Sequence, residues 1–306
     1  VTGPIAVTGG TGFIGQHLIR ALIDLSVPVR ALTRAARPVS SNHFAWIQGS
    51  LESESSLETL LEGATHLIHL AASVRGNTPD DFLRTNTHAS QALFELCTRM
   101  NTPPRVLFVS SLAAREPRLS HYALSKHLAE QRLAETLPEG HWTIFRPPAV
   151  YGPGDTEIKP LLKLASLGFL PVPSNPRHRV SLLHVDDLVT AMLAWLRLSQ
   201  SSGQIFELSD PRIGGYDWRQ LAEILSDYHG HRVRIMRLPK SLLVFFGAVN
   251  VGIGRLLGHP AMLSPGKVRE LSHSDWTVDP TYAMTHLDWR PLIEFSEGIA
   301  LPNKRI

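Results

Sequence analysis

Pro4-Ile-Ala-Val-Thr-Gly-Gly-Thr-Gly-Phe-Ile-Gly15 is the stretch that decides the fold. Pro4 to Thr8 is short and apolar, as a buried strand would be, and Gly12 to Leu25 has the spacing of an amphipathic helix. Glycines stand at 9, 12 and 15 between and within them. Gly9 permits a tight turn out of the strand, Gly12 lets backbone approach a pyrophosphate, and Gly15 lets the helix pack closely on the strand. The helix N-terminus adds unpaired N–H groups and a partial positive charge. Strand, loop and helix together point to a bound dinucleotide.

Outward from this loop the alternation continues. Val27–Thr33, Phe44–Gln48, His66–Ala71, Arg105–Ser110 and Trp142–Phe145 read as further strands. Ser53–Leu61, Asp80–Met100 and Tyr122–Leu137 read as helices, the second with Phe82, Leu93, Leu96 and Cys97 for an apolar face. Continuously apolar strands separated by helices form a parallel sheet covered on both faces. The expected fold is α/β, a doubly wound parallel (Rossmann) sheet with a smaller mixed C-terminal substrate lobe. Past Arg146, prolines and glycines break the pattern, but Val185–Leu198 (helix) and Ile205–Leu208 (strand) return to the first domain. The expected division is 1–150 with 182–208 for the dinucleotide domain, and 151–181 with 209–306 for the substrate lobe.

A net charge of +3 on 306 residues is no nucleic-acid footprint. The single cysteine, Cys97, excludes an internal disulfide. With a strand beginning almost at the first residue, this leads to the expectation of no signal peptide and a cytoplasmic location. Ser241–Gly254 is the longest uncharged apolar run, and fourteen residues fall short of a bilayer span. It is expected to pack on the body or line an apolar pocket, with peripheral membrane contact as the alternative and no transmembrane segment. The histidines show no metal-ligand spacing, so no metal is expected.

At the end of the second strand an acidic residue would bind a ribose 2′-hydroxyl. Here Thr33 is followed by Arg34, with Arg37 nearby. An arginine there suits a 2′-phosphate, so NADP(H) is the expected cofactor and NAD(H) the alternative. Tyr122 and Lys126 lie four apart, hence on one helix face. A neighbouring ammonium favours the phenolate, which would let the tyrosine act as acid/base. Ser110 and Ser111 end the fifth strand at the carboxyl edge, where ligands of such sheets bind.

TGGTGFIG (8–15), HLAA (69–72), Asn86-Thr87, FVSS (108–111), YALSK (122–126), RPPAVYGPGD (146–155) and HVDD (184–187) together resemble the extended short-chain dehydrogenase/reductase family, also called NAD-dependent epimerase/dehydratase. The resemblance implies Ser111, Tyr122 and Lys126 as the catalytic set, with Ser110 as the second candidate serine. It implies cofactor contacts from Gly9, Thr11, Gly12, Phe13, Ile14, Gly15, Thr33, Arg34, Leu70, Ala71, Ala72, Asn86, Tyr122, Lys126 and Pro147. It also implies a homodimer through the helices 80–100 and 120–137.

The chain departs from the nucleotide-sugar members of that family. Leu112, Ala113 and Ala114 stand where epimerases and dehydratases carry polar or acidic residues, and Ala149 and Val180 where diphosphate handles are usual, with Arg179 displaced by one. Three functions remain open: a reductase or dehydrogenase of a hydroxyl/ketone pair, a nucleotide-sugar epimerase, and a non-catalytic NADPH-binding subunit. The missing handles, and Leu242 to Phe246 as expected pocket lining, favour the first on a hydrophobic small molecule. Asp186 and Asp187 are expected to cap the helix that follows them, and His121 to lie in a solvated loop.

Overall fold

The structure, a computed structural model, describes residues 3–37, 43–173, 175–199, 203–261 and 263–301. The outermost ends of the expected domain ranges, 1–2 and 302–306, lie outside the described residues. The first half runs β1 (Ile5–Thr8), α1 (Phe13–Asp24), β2 (Val29–Thr33), β3 (Phe44–Gln48), α2 (Glu54–Leu61) and β4 (His66–His69). It continues with α3 (Pro79–Phe82), a π-helical turn (Leu83–His88), α4 (Ala89–Arg99), β5 (Arg105–Val109), α5 (His121–Thr136) and β6 (Trp142–Arg146). The second half comprises β7 (Ala149–Tyr151), α6 (Lys159–Ser166), β8 (Phe169–Val172), β9 (Arg179–Val180), β10 (Leu182–His184), α7 (Val185–Arg197) and β11 (Gln204–Glu207). Then come β12 (Tyr216–Asp217), α8 (Trp218–His229), β13 (Arg234–Arg237), α9 (Lys240–Leu257), α10 (Pro265–Leu271), β14 (Asp275–Trp276), α11 (Thr281–Leu287) and α12 (Phe295–Gly298).

The main sheet has seven strands in the order β11-β6-β5-β4-β1-β2-β3, all parallel. β1 lies near its middle with all four residues buried. One face packs Leu18, Leu22, Leu188, Met192 and Trp195 from α1 and α7. The other packs Leu57, Leu60, Leu93, Phe94 and Leu133 from α2, α4 and α5. This is the doubly wound Rossmann arrangement. The strand order reverses between β1 and β4, and ligands of such sheets bind outside the carboxyl ends of the strands at that switch point. A second core around Tyr151, Leu170, Tyr216, Trp218 and Leu225 belongs to the C-terminal half.

Three expectations need correction. The stretch 80–100 is not one regular helix: a capping box on Thr78 starts α3, and the π-helical turn separates it from α4. The wider turn faces Asn86 and Thr87 inward, where Asn86 hydrogen-bonds the Ser125 side chain at 2.9 Å and Thr87 donates to the Ser125 carbonyl at 3.0 Å. Second, Asp186 and Asp187 do not cap α7; the N-cap is His184, which accepts from the Asp186 amide. Asp187 instead accepts from the Leu292 and Ile293 amides, tying the C-terminal segment to the start of α7, and Asp186 pairs with His17 on α1. Third, α9 turns side chains expected to line a pocket outward: Leu242, Phe245 and Phe246 are 44%, 62% and 52% exposed. The residues α9 buries are Gly247 and Gly254, whose lack of a side chain lets the backbone sit within van der Waals reach of Pro265 and His259.

Candidate active site

The loop after β1 is shaped by contacts only glycine allows. Gly9 has φ +73°, and a Cβ there would stand 2.6 Å from the Ala71 nitrogen. A Cβ on Gly15 would stand 2.2 Å from the Gly9 carbonyl oxygen. Gly12 is different: its Cβ would meet only that oxygen, at 3.2 Å, so its outer side is open. Gly12 is also the N-cap of α1, and no side chain caps that helix. An uncapped helix start beside an open glycine is what a pyrophosphate requires, so the residues present fit a dinucleotide. Thr11 is exposed, and Phe13 and Ile14 are half-buried on the same turn.

β1 and β4 are joined beneath this loop by a buried chain. Thr8 Oγ1 lies 2.6 Å from His69 Nδ1, and His69 Nε2 lies 2.8 Å from Ser90 Oγ. Burial, with the Lys126 charge nearby, pushes His69 down to about 3, so it stays neutral. The Ala71 amide donates to Thr8 Oγ1 at 3.3 Å, fixing the strand end that carries Leu70, Ala71 and Ala72. Asn86 holds the next residue from two sides: Ser73 donates to its Oδ1 at 2.7 Å, and its Nδ2 donates to the Ser73 carbonyl at 2.9 Å. Asn86 thus joins the loop after β4 to α5.

On α5 the catalytic candidates converge. Ser120 caps the helix, accepting from Ala123 at 2.9 Å. Ser125 donates to the Tyr122 carbonyl at 2.8 Å. Lys126 is fully buried; its ammonium donates to the Val109 carbonyl at 2.9 Å and sits 4.1 Å from the Phe108 ring centre. Desolvation pushes this lysine down to about 7. Tyr122 moves the other way, up to about 12, because burial disfavours its phenolate and the Glu270 and Glu157 charges add to this, while a hydrogen bond with Ser111 opposes it. The expectation that the lysine would draw the tyrosine down is not met: with Lys126 turned to Val109, burial dominates and Tyr122 holds its proton.

The geometry also separates the two serines. Ser111 Oγ accepts from the Ala113 amide at 3.2 Å and acts on the Tyr122 hydroxyl, lowering its pKa, whereas Ser110 Oγ is buried without a partner among the described residues. Leu112 donates to the buried Pro147 carbonyl at 2.8 Å, so Pro147 supports the serine segment from behind. At the far end of the loop region Arg34 is exposed beyond β2 and makes no ion pair among the described residues. Thr33 is buried and donates to the Ala35 carbonyl at 3.0 Å. Arg37 stacks over Trp46 at 5.1 Å, beside an open cleft of about 360 Å³ that also includes Gly10 and Gln16. Among the described residues no cluster of His, Cys, Asp or Glu could hold a metal. His121 is exposed but is the first residue of α5 rather than part of a loop.

Two features were not read from the sequence. Glu270 on α10 is buried against Ser120, which donates to its carboxylate, and its charge acts on Tyr122. Arg179 is committed to backbone, donating from Nε to the Gly214 carbonyl at 2.5 Å and from a terminal nitrogen to Gly215 at 2.9 Å. It is therefore not a free handle for a diphosphate.

A glycine cradle at the switch point, with a Ser/Tyr/Lys set over the next strand end, defines an NAD(P)-dependent oxidoreductase of the short-chain dehydrogenase/reductase type. The sequence profile of the NAD dependent epimerase/dehydratase family matches residues 5–209, and the chain belongs to that family. It is 37% identical to a ceramide reductase of Caulobacter vibrioides, over 90% of this chain and 86% of the relative. It is 27% identical to a 4-hydroxy-2-methyl-3-oxo-4-farnesyl-3,4-dihydroquinoline-1-oxide ketoreductase of Stigmatella aurantiaca, covering 76% and 75%. Among solved structures it resembles MoeE5 in complex with UDP-glucuronic acid and NAD, with TM-score 0.74, 22% identity and 97% of both chains covered. At that identity the likeness shows the fold.

Proposed function

We propose that this enzyme reduces a ketone on an apolar, lipid-like substrate, with NADPH as the preferred dinucleotide, in the cytoplasm. The observation that carries the reading is the convergence of Ser111, Tyr122 and Lys126 at the carboxyl edge of the sheet in a chain similar to reductases, with burial keeping Tyr122 a neutral phenol. Reduction of a carbonyl needs a proton donor at the oxygen, and a neutral phenol is that donor at physiological pH. Ser111 Oγ and Tyr122 Oη together would hold the carbonyl oxygen, Tyr122 giving its proton as the oxygen becomes a hydroxyl. A bound reduced dinucleotide would supply the hydride to the carbonyl carbon. Lys126, fixed by Val109, keeps further N–H donors for a ribose hydroxyl when it is charged.

The apolar substrate class is supported by the names of the reductase relatives and by what the site lacks. A nucleotide-sugar diphosphate gains on the order of 1.5–3 kcal/mol from each charge-assisted hydrogen bond. Ala149 and Val180 offer none, and Arg179 is already engaged. Oxidation of NADPH, followed by absorbance, tests the proposal on long-chain ketones, and chromatography of the sugar nucleotides tests UDP-hexoses, whose epimerisation causes no net change in the dinucleotide. Wild type should turn over the former, and Tyr122→Phe should lose at least about 100-fold in kcat while binding NADPH nearly as before. Turnover of UDP-hexoses, or full activity of Tyr122→Phe, would refute it.

A further inference from the structure

α9 is the one helix among the described residues long and apolar enough to cross a bilayer, yet only 11% of it is buried. At 100° per residue Leu242, Phe245, Phe246, Val249, Ile253, Leu256 and Leu257 fall within one arc of about 120°, centred about 130° from the two buried glycines. Those seven side chains are 42–88% exposed and form a continuous apolar stripe. The glycine side is pinned to the protein. A Cβ on Gly247 would stand 3.0 Å from the Ser264 carbonyl carbon, and one on Gly254 would stand 2.6 Å from the His259 oxygen. Arg255 also donates to the Asn77 carbonyl at 2.8 Å. A helix fixed along one side cannot be surrounded by lipid, but it can lie in the plane of an interface.

Charge says which surface would receive it. From Gly230 to Arg269 the sequence has seven Lys/Arg and no Asp/Glu. The rest of the chain holds 23 basic against 27 acidic residues, a net −4, so this segment alone accounts for the positive total. Arg232, Arg234, Arg237 and Lys240 are exposed immediately before the stripe. Arg237 and Lys240 border an open cleft of about 460 Å³ at the start of α9. A basic strap leading into an exposed apolar helix complements an anionic headgroup layer over acyl chains.

We propose that α9 and the preceding basic strap dock this enzyme peripherally on an anionic lipid bilayer. The docked helix lies next to the active site through its inner side, because α10, which packs on α9, carries the Glu270 that Ser120 holds two residues before Tyr122.

The test is co-sedimentation of the full chain with phosphatidylglycerol/phosphatidylcholine vesicles, without substrate or dinucleotide, so that it stands apart from the catalytic reading. Wild type should bind, at least tenfold more weakly to pure phosphatidylcholine, and be released by alkaline carbonate. Phe245→Ser/Phe246→Ser/Leu256→Ser should lose at least tenfold in binding, and so should Arg234→Glu/Arg237→Glu. Both variants should keep the wild-type melting temperature and far-ultraviolet circular dichroism. The proposal is overturned if wild type does not bind, if neither variant weakens binding, or if carbonate leaves the protein in the vesicles. It is equally overturned if the triple variant abolishes self-association in light scattering while vesicle binding is unchanged.

Discussion

Replacing Lys126 by methionine should stabilise this protein at mildly acidic pH while abolishing its chemistry. Burial lowers the lysine from its ordinary 10.5 to about 7. Below pH 7 the folded and unfolded chains both carry the proton, and the folded state bears the whole cost of an ammonium out of water, about 5 kcal/mol for that difference. Between pH 7 and 10.5 the unfolded lysine binds a proton that the folded one does not, so wild-type stability rises with pH; above 10.5 the cost is gone. Methionine avoids the cost at every pH. It forfeits the hydrogen bond to Val109, leaving a buried carbonyl unpaired, and the contact with Phe108, together about 3 kcal/mol. The variant should thus be more stable by about 2 kcal/mol at pH 6, or about 3 °C in Tm for a chain of this length. By pH 9.5 the gain should vanish or reverse. Differential scanning calorimetry of dinucleotide-free protein at both pH values reads this directly. A fall in Tm of equal size at pH 6 and 9.5 would show that Lys126 is not destabilised by burial, and the reasoning would fail.

The glycine cradle separates folding from binding: Gly12→Ala should lower Tm by no more than about 2 °C, because the added methyl meets only the Gly9 carbonyl oxygen, at 3.2 Å, yet weaken dinucleotide binding by about 10–100-fold by crowding the helix start that the phosphates would approach. Gly15→Ala, which meets backbone at 2.2 Å, should lower Tm further, and equal effects of both in calorimetry would refute the distinction. Arg34→Asp should reverse a preference for NADPH over NADH by removing about 1.5–3 kcal/mol of charge-assisted bonding to the 2′-phosphate. Wild type binding NADH at least as tightly in fluorescence titration would remove that assignment.

The parallel sheet was legible because its signal is local and repeated. Ile5-Ala-Val, Leu67-Ile68 and Val106-Leu-Phe-Val109 are each apolar on both faces, a pattern only a sheet covered on both sides imposes. Helices 80–100 and 240–257 show where this logic stops. Periodicity places residues on a wheel, but the π-helical turn is decided by the hydrogen bonds Asn86 and Thr87 find on α5, and their partner is 38–39 residues away. Likewise an apolar run reads the same whether it faces a core or the outside. What settles α9 is that its small residues, Gly247 and Gly254, are the ones buried.

The site divides along the same line. Gly9, Gly12, Gly15, Ser111, Tyr122 and Lys126 could be named because spacing along a strand end or helix face brings them together. Their protonation could not, because it depends on what surrounds them. Proximity of Tyr122 and Lys126 argues for a lowered tyrosine, yet each is shifted against its charged form by the same burial, the lysine to about 7 and the tyrosine to about 12. Glu270, 150 positions from its Ser120 partner, adds a negative charge that no motif announces. Both effects act in one direction, toward an uncharged tyrosine. A site built to abstract a proton from an alcohol would need the phenolate, and an acid near Tyr122 would oppose it. The same acid favours the neutral phenol that donates the proton in a carbonyl reduction, while net direction is set by the relative amounts of reduced and oxidised dinucleotide and of ketone and alcohol.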